Sequence, residues 1–86
     1  MEKQWYLYIL ECGDGTLYTG ITDNVPRRVA AHNAGKGAKY TRGRGPVKLR
    51  YQVCCGTRGD ALRQECRVKA LTRAEKLELI ETAPEG

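Results

Sequence analysis

An 86-residue chain is long enough for one compact domain and too short for two, because a domain of this size already buries only about 60% of its unfolded surface. Hydrophobic residues at 41% and charged residues at 29% exclude a disordered chain, and the net charge of +5 favours a polyanionic partner. Met1-Glu2-Lys3-Gln4 runs straight into a strand-like segment with no long apolar run, which argues against a signal peptide or membrane span.

Trp5 to Leu10 and Thr16 to Thr22 are rich in aromatic and branched residues, and Cys12-Gly13-Asp14-Gly15 between them is turn-forming. They read as a β-hairpin. A three-residue loop with Gly15 in the left-handed conformation pairs Cys12 with Thr16 and sets Tyr8 opposite Gly20. Tyr6, Tyr8, Leu10 and Tyr18 then share one face. A two-residue loop would part Tyr8 from Tyr18, since a slip of one residue turns side chains over; the three-residue loop is preferred.

Asp23-Asn24 supplies a cap for a short helix, Pro26 suits its first turn and Gly35 ends it. At about 100° per residue, Val25, Arg28, Val29 and His32 fall on one side and Arg27 points away. Residues 35–45 form a basic, glycine-rich loop with Lys36, Lys39, Arg42, Arg44 and one aromatic, Tyr40. Val47 to Cys54 alternates as a third strand, with Val47, Leu49, Tyr51 and Val53 on one face. Thr57 with Asp60 starts a helix that runs to about Leu71, and Thr72 with Glu75 restarts one through about Ile80, before Pro84. The fold class is α+β: a single domain over residues 1–86, with a three-stranded, mainly antiparallel sheet flanked by helices in the order β-β-α-β-α-α.

Cys12, Cys54, Cys55 and Cys66 show no C-x-x-C spacing, and Cys54 and Cys55 point to opposite faces of their strand, so free thiols in a reducing cytoplasm fit best.

Tyr6-Leu7-Tyr8, the tight turn, Tyr18-Thr19-Gly20 and an arginine on the next helix together resemble the GIY-YIG nuclease superfamily. The likeness runs from Trp5 through the helix carrying Glu65. It is most similar to the short, freestanding bacterial branch, with a core like the N-terminal nuclease domain of UvrC-type repair proteins. The first motif lacks its glycine and isoleucine, and the second has threonine for isoleucine. The resemblance implies that Tyr8, Tyr18, Arg28, His32 and Glu65 are catalytic, and that Glu65 with water holds one divalent ion, magnesium or manganese.

Hydrolysis of a phosphodiester needs an aligned, deprotonated water and stabilisation of charge on the phosphate and leaving oxygens. Phenols, a planar guanidinium and a hard carboxylate oxygen meet those needs. Tyr8 is the candidate proton acceptor, but a free phenol has a pKa near about 10, so it needs a nearby cation or a relay through His32. Both routes stay open. Glu65 also has two readings: a metal ligand, or an ordinary ion pair with Lys69 one turn on. Its neighbours Ala61, Leu62 and Val68 favour a carboxylate with a partner or a metal.

The basic loop, through Lys36, Lys39, Tyr40, Arg42 and Arg44, is expected to clamp a nucleic-acid backbone. The expected activity is an endonuclease acting on DNA, structure-specific or repair-related, with RNA open as a substrate. A protein partner or homodimer would supply recognition that so short a chain lacks. The competing expectation is a non-catalytic nucleic-acid-binding module that uses the same loop and tyrosine face.

Overall fold

The computed structural model describes residues 3–37, 43 and 45–82. Its order is β1 (Trp5–Glu11), β2 (Leu17–Thr22), α1 (Val25–Asn33), β3 (Lys48–Gly56), α2 (Arg58–Lys69) and α3 (Arg73–Thr82), as the sequence predicts. The sheet is antiparallel throughout, in the order β2-β1-β3.

The hairpin takes the three-residue loop. Cys12 N–H donates to Thr16 O at 2.8 Å, Gly15 N–H to Cys12 O at 2.9 Å, and Gly15 has φ of +85°. Tyr8 therefore lies opposite Gly20 and Leu10 opposite Tyr18, which puts the two tyrosines on one face.

Strand β1 is central and feeds two cores. Tyr8, Leu10 and Cys12 join Val47 under Tyr18 and Val29 of α1. From the other face Leu7 and Ile9 meet Val68 of α2, with Leu71, Leu79 and Ile80 packed around them. One sheet thus separates an α1 side, which carries Tyr8 and Tyr18, from an α2/α3 side.

The expected face of β3 needs correction. Leu49 lies opposite Leu10 and Tyr51 opposite Ile9, with a register shift between them. The additional residue is a bulge, and it turns the strand over. Val47 consequently packs on the α1 side and Tyr51 on the α2 side, while Leu49 and Val53 are left 37% and 38% exposed.

Local chemistry explains the helix limits. Asn24 caps α1 by accepting from Arg27 N–H at 3.2 Å, and Pro26 occupies its first turn. At the other end Gly35 N–H reaches His32 O at 3.1 Å and Lys36 N–H reaches Ala31 O at 2.9 Å, a Schellman closure that uses Gly35 at φ +76°. Thr57 and Asp60 form the capping box of α2, and Thr72 and Glu75 exchange the same pair of bonds at α3. Helix α2 stops at Lys69, two residues before the predicted end, and α3 continues to Thr82.

Candidate active site

The hairpin register and the helical repeat bring four of the predicted residues together. Tyr8, Tyr18 and His32 form a triangle of rings, with centroids 6.4 Å apart for the two tyrosines, 6.0 Å for Tyr8 and His32, and 5.4 Å for Tyr18 and His32. The Tyr8 hydroxyl lies 3.1 Å from Nε2 of His32. One turn before His32 on α1, Arg28 lies near enough to the Tyr8 hydroxyl for its guanidinium to favour the ionised phenol.

Burial grades the triangle. Tyr8 and His32 are 1% and 2% exposed, whereas Tyr18 and Arg28 are partly open to solvent. Arg27 is exposed, as the helical spacing requires.

Gly20 makes the arrangement possible. A Cβ there would fall 2.6 Å from the Tyr8 hydroxyl and 3.2 Å from the Tyr18 ring, so the two aromatics close over a bare stretch of backbone. Thr19 turns to the other face of the sheet, where it is 3% exposed, and its hydroxyl lacks a hydrogen-bond partner among the described residues.

The electrostatics set protonation states. Burial pushes the Tyr8 phenol above its ordinary value of 10.0; the neighbouring Arg28 guanidinium opposes this, while the Tyr18 and Glu65 charges add to it. Burial, and then the Arg28 charge, hold His32 below 6.5. At neutral pH the pair is therefore a neutral hydroxyl beside a neutral imidazole. Oriented with its lone pair at Nε2, the imidazole can take the phenol proton.

Glu65 approaches from a different element. Ala61 and Val68, at 0% and 7% exposure, lie on its side of α2 and turn it toward the sheet, but Leu62 is 40% exposed and does not enclose it as the sequence suggests. Val68 packs on the face opposite the tyrosines. The Glu65 carboxylate, with its side chain 20% exposed, pairs with Lys69 at 3.6 Å, and its charge is the smallest influence felt at Tyr8.

No three His, Cys, Asp or Glu side chains come together among the described residues. Glu65 by itself would offer an ion one hard carboxylate, a donor of the kind that suits an ion keeping most of its water, such as magnesium or manganese.

Two residues near the site carry no obvious signal in the sequence. Asn33 donates from its amide to Val47 O at 3.4 Å and accepts from Val47 N–H at 2.8 Å, tying the end of α1 to the start of β3. Gly37 lies against His32. Of the predicted nucleic-acid contacts, Lys36 is exposed just beyond α1, while Lys39, Tyr40, Arg42 and Arg44 lie outside the described residues.

No described helix is long and apolar enough to cross a membrane. The GIY-YIG catalytic domain matches residues 4–78. A UPF0213 protein of Halobacterium salinarum is 56% identical over 71 residues, covering 83% of this chain and 92% of its own, and one of Cupriavidus pinatubonensis is 51% identical over 77 residues, covering 90% and 86%. Among solved structures, the solution structure of a UPF0213 protein from Bacillus halodurans is similar with a TM-score of 0.59 and 49% identity, over 91% of this chain and 83% of its own. A protein from E. faecalis has a TM-score of 0.61 and 34% identity, over 99% and 94%.

Proposed function

The chain belongs to the GIY-YIG catalytic-domain family, and from that premise we propose that it is a metal-dependent endonuclease hydrolysing phosphodiester bonds in DNA, with structure-specific or repair substrates. The observation that carries this reading is the hydrogen bond between Tyr8 and His32, with Arg28 and Tyr18 beside it, built on a glycine that leaves room for it. We place the chain with the short, freestanding bacterial members of the superfamily, whose core is similar to the nuclease domain of UvrC-type proteins.

Each group has a task. Arg28, beside the Tyr8 hydroxyl, stabilises the charge that accumulates on the phosphate oxygens. Tyr18, the more open phenol, orients the phosphate and the water. The water oxygen bonds to phosphorus as the bond to the leaving oxygen breaks. Its proton passes to the Tyr8 oxygen while the Tyr8 proton passes to Nε2 of His32, which ends as imidazolium. This relay removes the need for a free phenolate, which the raised pKa of Tyr8 opposes.

Glu65, released from Lys69, would hold the divalent ion with water. When bound, such an ion neutralises charge on the leaving oxygen. The loop cations Lys36, Lys39, Arg42 and Arg44 would grip the nucleic-acid backbone.

The test is to incubate the protein with branched, flapped, single-stranded and duplex DNA, and with RNA, with and without magnesium. Magnesium-dependent cutting should fall at least about a hundredfold in Tyr8→Phe and Glu65→Ala. One observation favours a second reading, a non-catalytic nucleic-acid-binding module: Glu65 is paired with Lys69 on a helix that covers the face opposite the tyrosines. Salt-sensitive binding with no cutting of any substrate would select it.

A further inference from the structure

Gly37 sits in a stretch whose composition reads as a flexible basic loop, yet its surroundings are closed. A Cβ built on it would fall 2.2 Å from Nδ1 of His32, 2.6 Å from its Cγ and 2.8 Å from its Cα. Two of these atoms belong to a ring that is 2% exposed and the third is backbone, so no flexible side chain can move aside. By contrast, a Cβ at Gly45, near the other end of the segment, would meet nothing within 4 Å.

Delivery of Gly37 to the ring follows from the helix ending. Gly35, at φ +76°, turns the chain back through the Schellman bonds to His32 O and Ala31 O, and two residues later the backbone reaches the imidazole. The two glycines therefore do different work: Gly35 is needed for its left-handed backbone and Gly37 for its missing side chain.

The imidazole is thus held on both edges. Nε2 faces the Tyr8 hydroxyl at 3.1 Å, and the Gly37 backbone lies against Nδ1. The ring cannot withdraw from Tyr8 toward Nδ1, and Nε2 is left as the nitrogen that meets the reaction. A small displacement matters here, because proton transfer falls steeply as donor and acceptor move out of hydrogen-bond reach.

We propose that Gly37 is a positioning residue: its backbone holds the His32 imidazole against the Tyr8 hydroxyl, so that replacing it weakens the proton relay without weakening substrate binding. The kinetic part rests on the nuclease reading above, and the geometric part does not.

Two measurements test it. In the unmodified protein, NMR should give cross-relaxation between the Gly37 α-protons and the ring protons of His32; its absence in well-resolved spectra overturns the proposal, and this arm needs no variant to fold. In Gly37→Ala, the His32 ring nitrogen resonances should move, and kcat for DNA cutting should fall about tenfold or more while KM stays within about twofold. Gly59→Ala, on α2 where an added Cβ meets only ordinary contacts at 3.8 and 3.9 Å, should leave both unchanged. Unmoved ring resonances in folded Gly37→Ala overturn the proposal, as does an equal loss of kcat in Gly59→Ala. If the unmodified protein cuts no DNA, the nuclease reading fails while the two NMR measurements still decide the positioning role.

Discussion

Gly20 and Thr19, neighbours on β2, show how much a single side chain decides. Gly20→Ala puts a methyl 2.6 Å from the Tyr8 hydroxyl and 2.8 Å from its ring carbon, so the ring must tilt out of its packed position. The cost should be about 1–3 kcal/mol, read as a lower urea midpoint. A variant as stable as the parent would mean that Tyr8 is not held over the glycine. Thr19→Val should act in the opposite direction. It keeps the branched shape and removes a buried hydroxyl with no partner among the described residues, so stability should rise by about 1 kcal/mol. A lower midpoint would reveal a partner for that hydroxyl. His32 adds a pH dependence with a definite sign. Its folded pKa lies below 6.5, so as pH falls the unfolded chain binds the proton first. The stability from this group is complete above about pH 7 and drains away below 6.5. Asp60 and Glu75, held low by hydrogen bonds at their helix caps, titrate beneath that window. Urea midpoints measured from pH 7.5 down to 5.5 should therefore fall in the parent and stay nearly level in His32→Gln; a flat parent curve contradicts the lowered pKa.

Elements were legible in the sequence where one residue type has one mechanical use, and illegible where the decision is taken elsewhere. Gly15 after Asp14 allows the three-residue loop and so fixes which face Tyr8 and Tyr18 share. Thr57 with Asp60, and Thr72 with Glu75, announce two helix starts because each pair can satisfy the other's backbone N–H. The β3 bulge left no such mark. Val47, Leu49, Tyr51 and Val53 alternate as a regular strand would, and the inserted residue is visible only when paired with β1. Asn33 was equally silent, since an asparagine at a helix end is ordinary until its amide is seen to bond both backbone groups of Val47. That pair of bonds substitutes for a strand neighbour at the point where the chain returns from residues 35–45. Asn33→Ala should cost about 1 kcal/mol and expose the Val47 amide to hydrogen exchange, leaving the hairpin amides protected. Protection unchanged at Val47 would mean that other contacts hold the start of β3.

At the scale of the molecule, the sheet divides labour: Leu7, Ile9 and Val68 build a core on one face, while the other gives up packing volume to Tyr8, Tyr18, His32 and Arg28. Charge is divided too. Four of the 15 lysines and arginines fall within residues 35–45, on the segment that leaves α1 beside His32. If those cations meet phosphates, they act by releasing counterions, a contribution separate from any made by Tyr8, Tyr18 and His32. Lys39→Ala combined with Arg42→Ala should then weaken DNA binding and flatten its dependence on salt. Two lost phosphate contacts reduce the slope of log K against log salt by about 1.4 for single strands and about 1.8 for duplex. Under the proposed mechanism Arg28→Ala should do something different, lowering kcat more than affinity, because its guanidinium is assigned to the charge that develops on the phosphate. The two variants separate gripping from cutting. A full salt slope in the double variant would remove residues 35–45 from the interface and leave the net charge of +5 to be explained by some other surface.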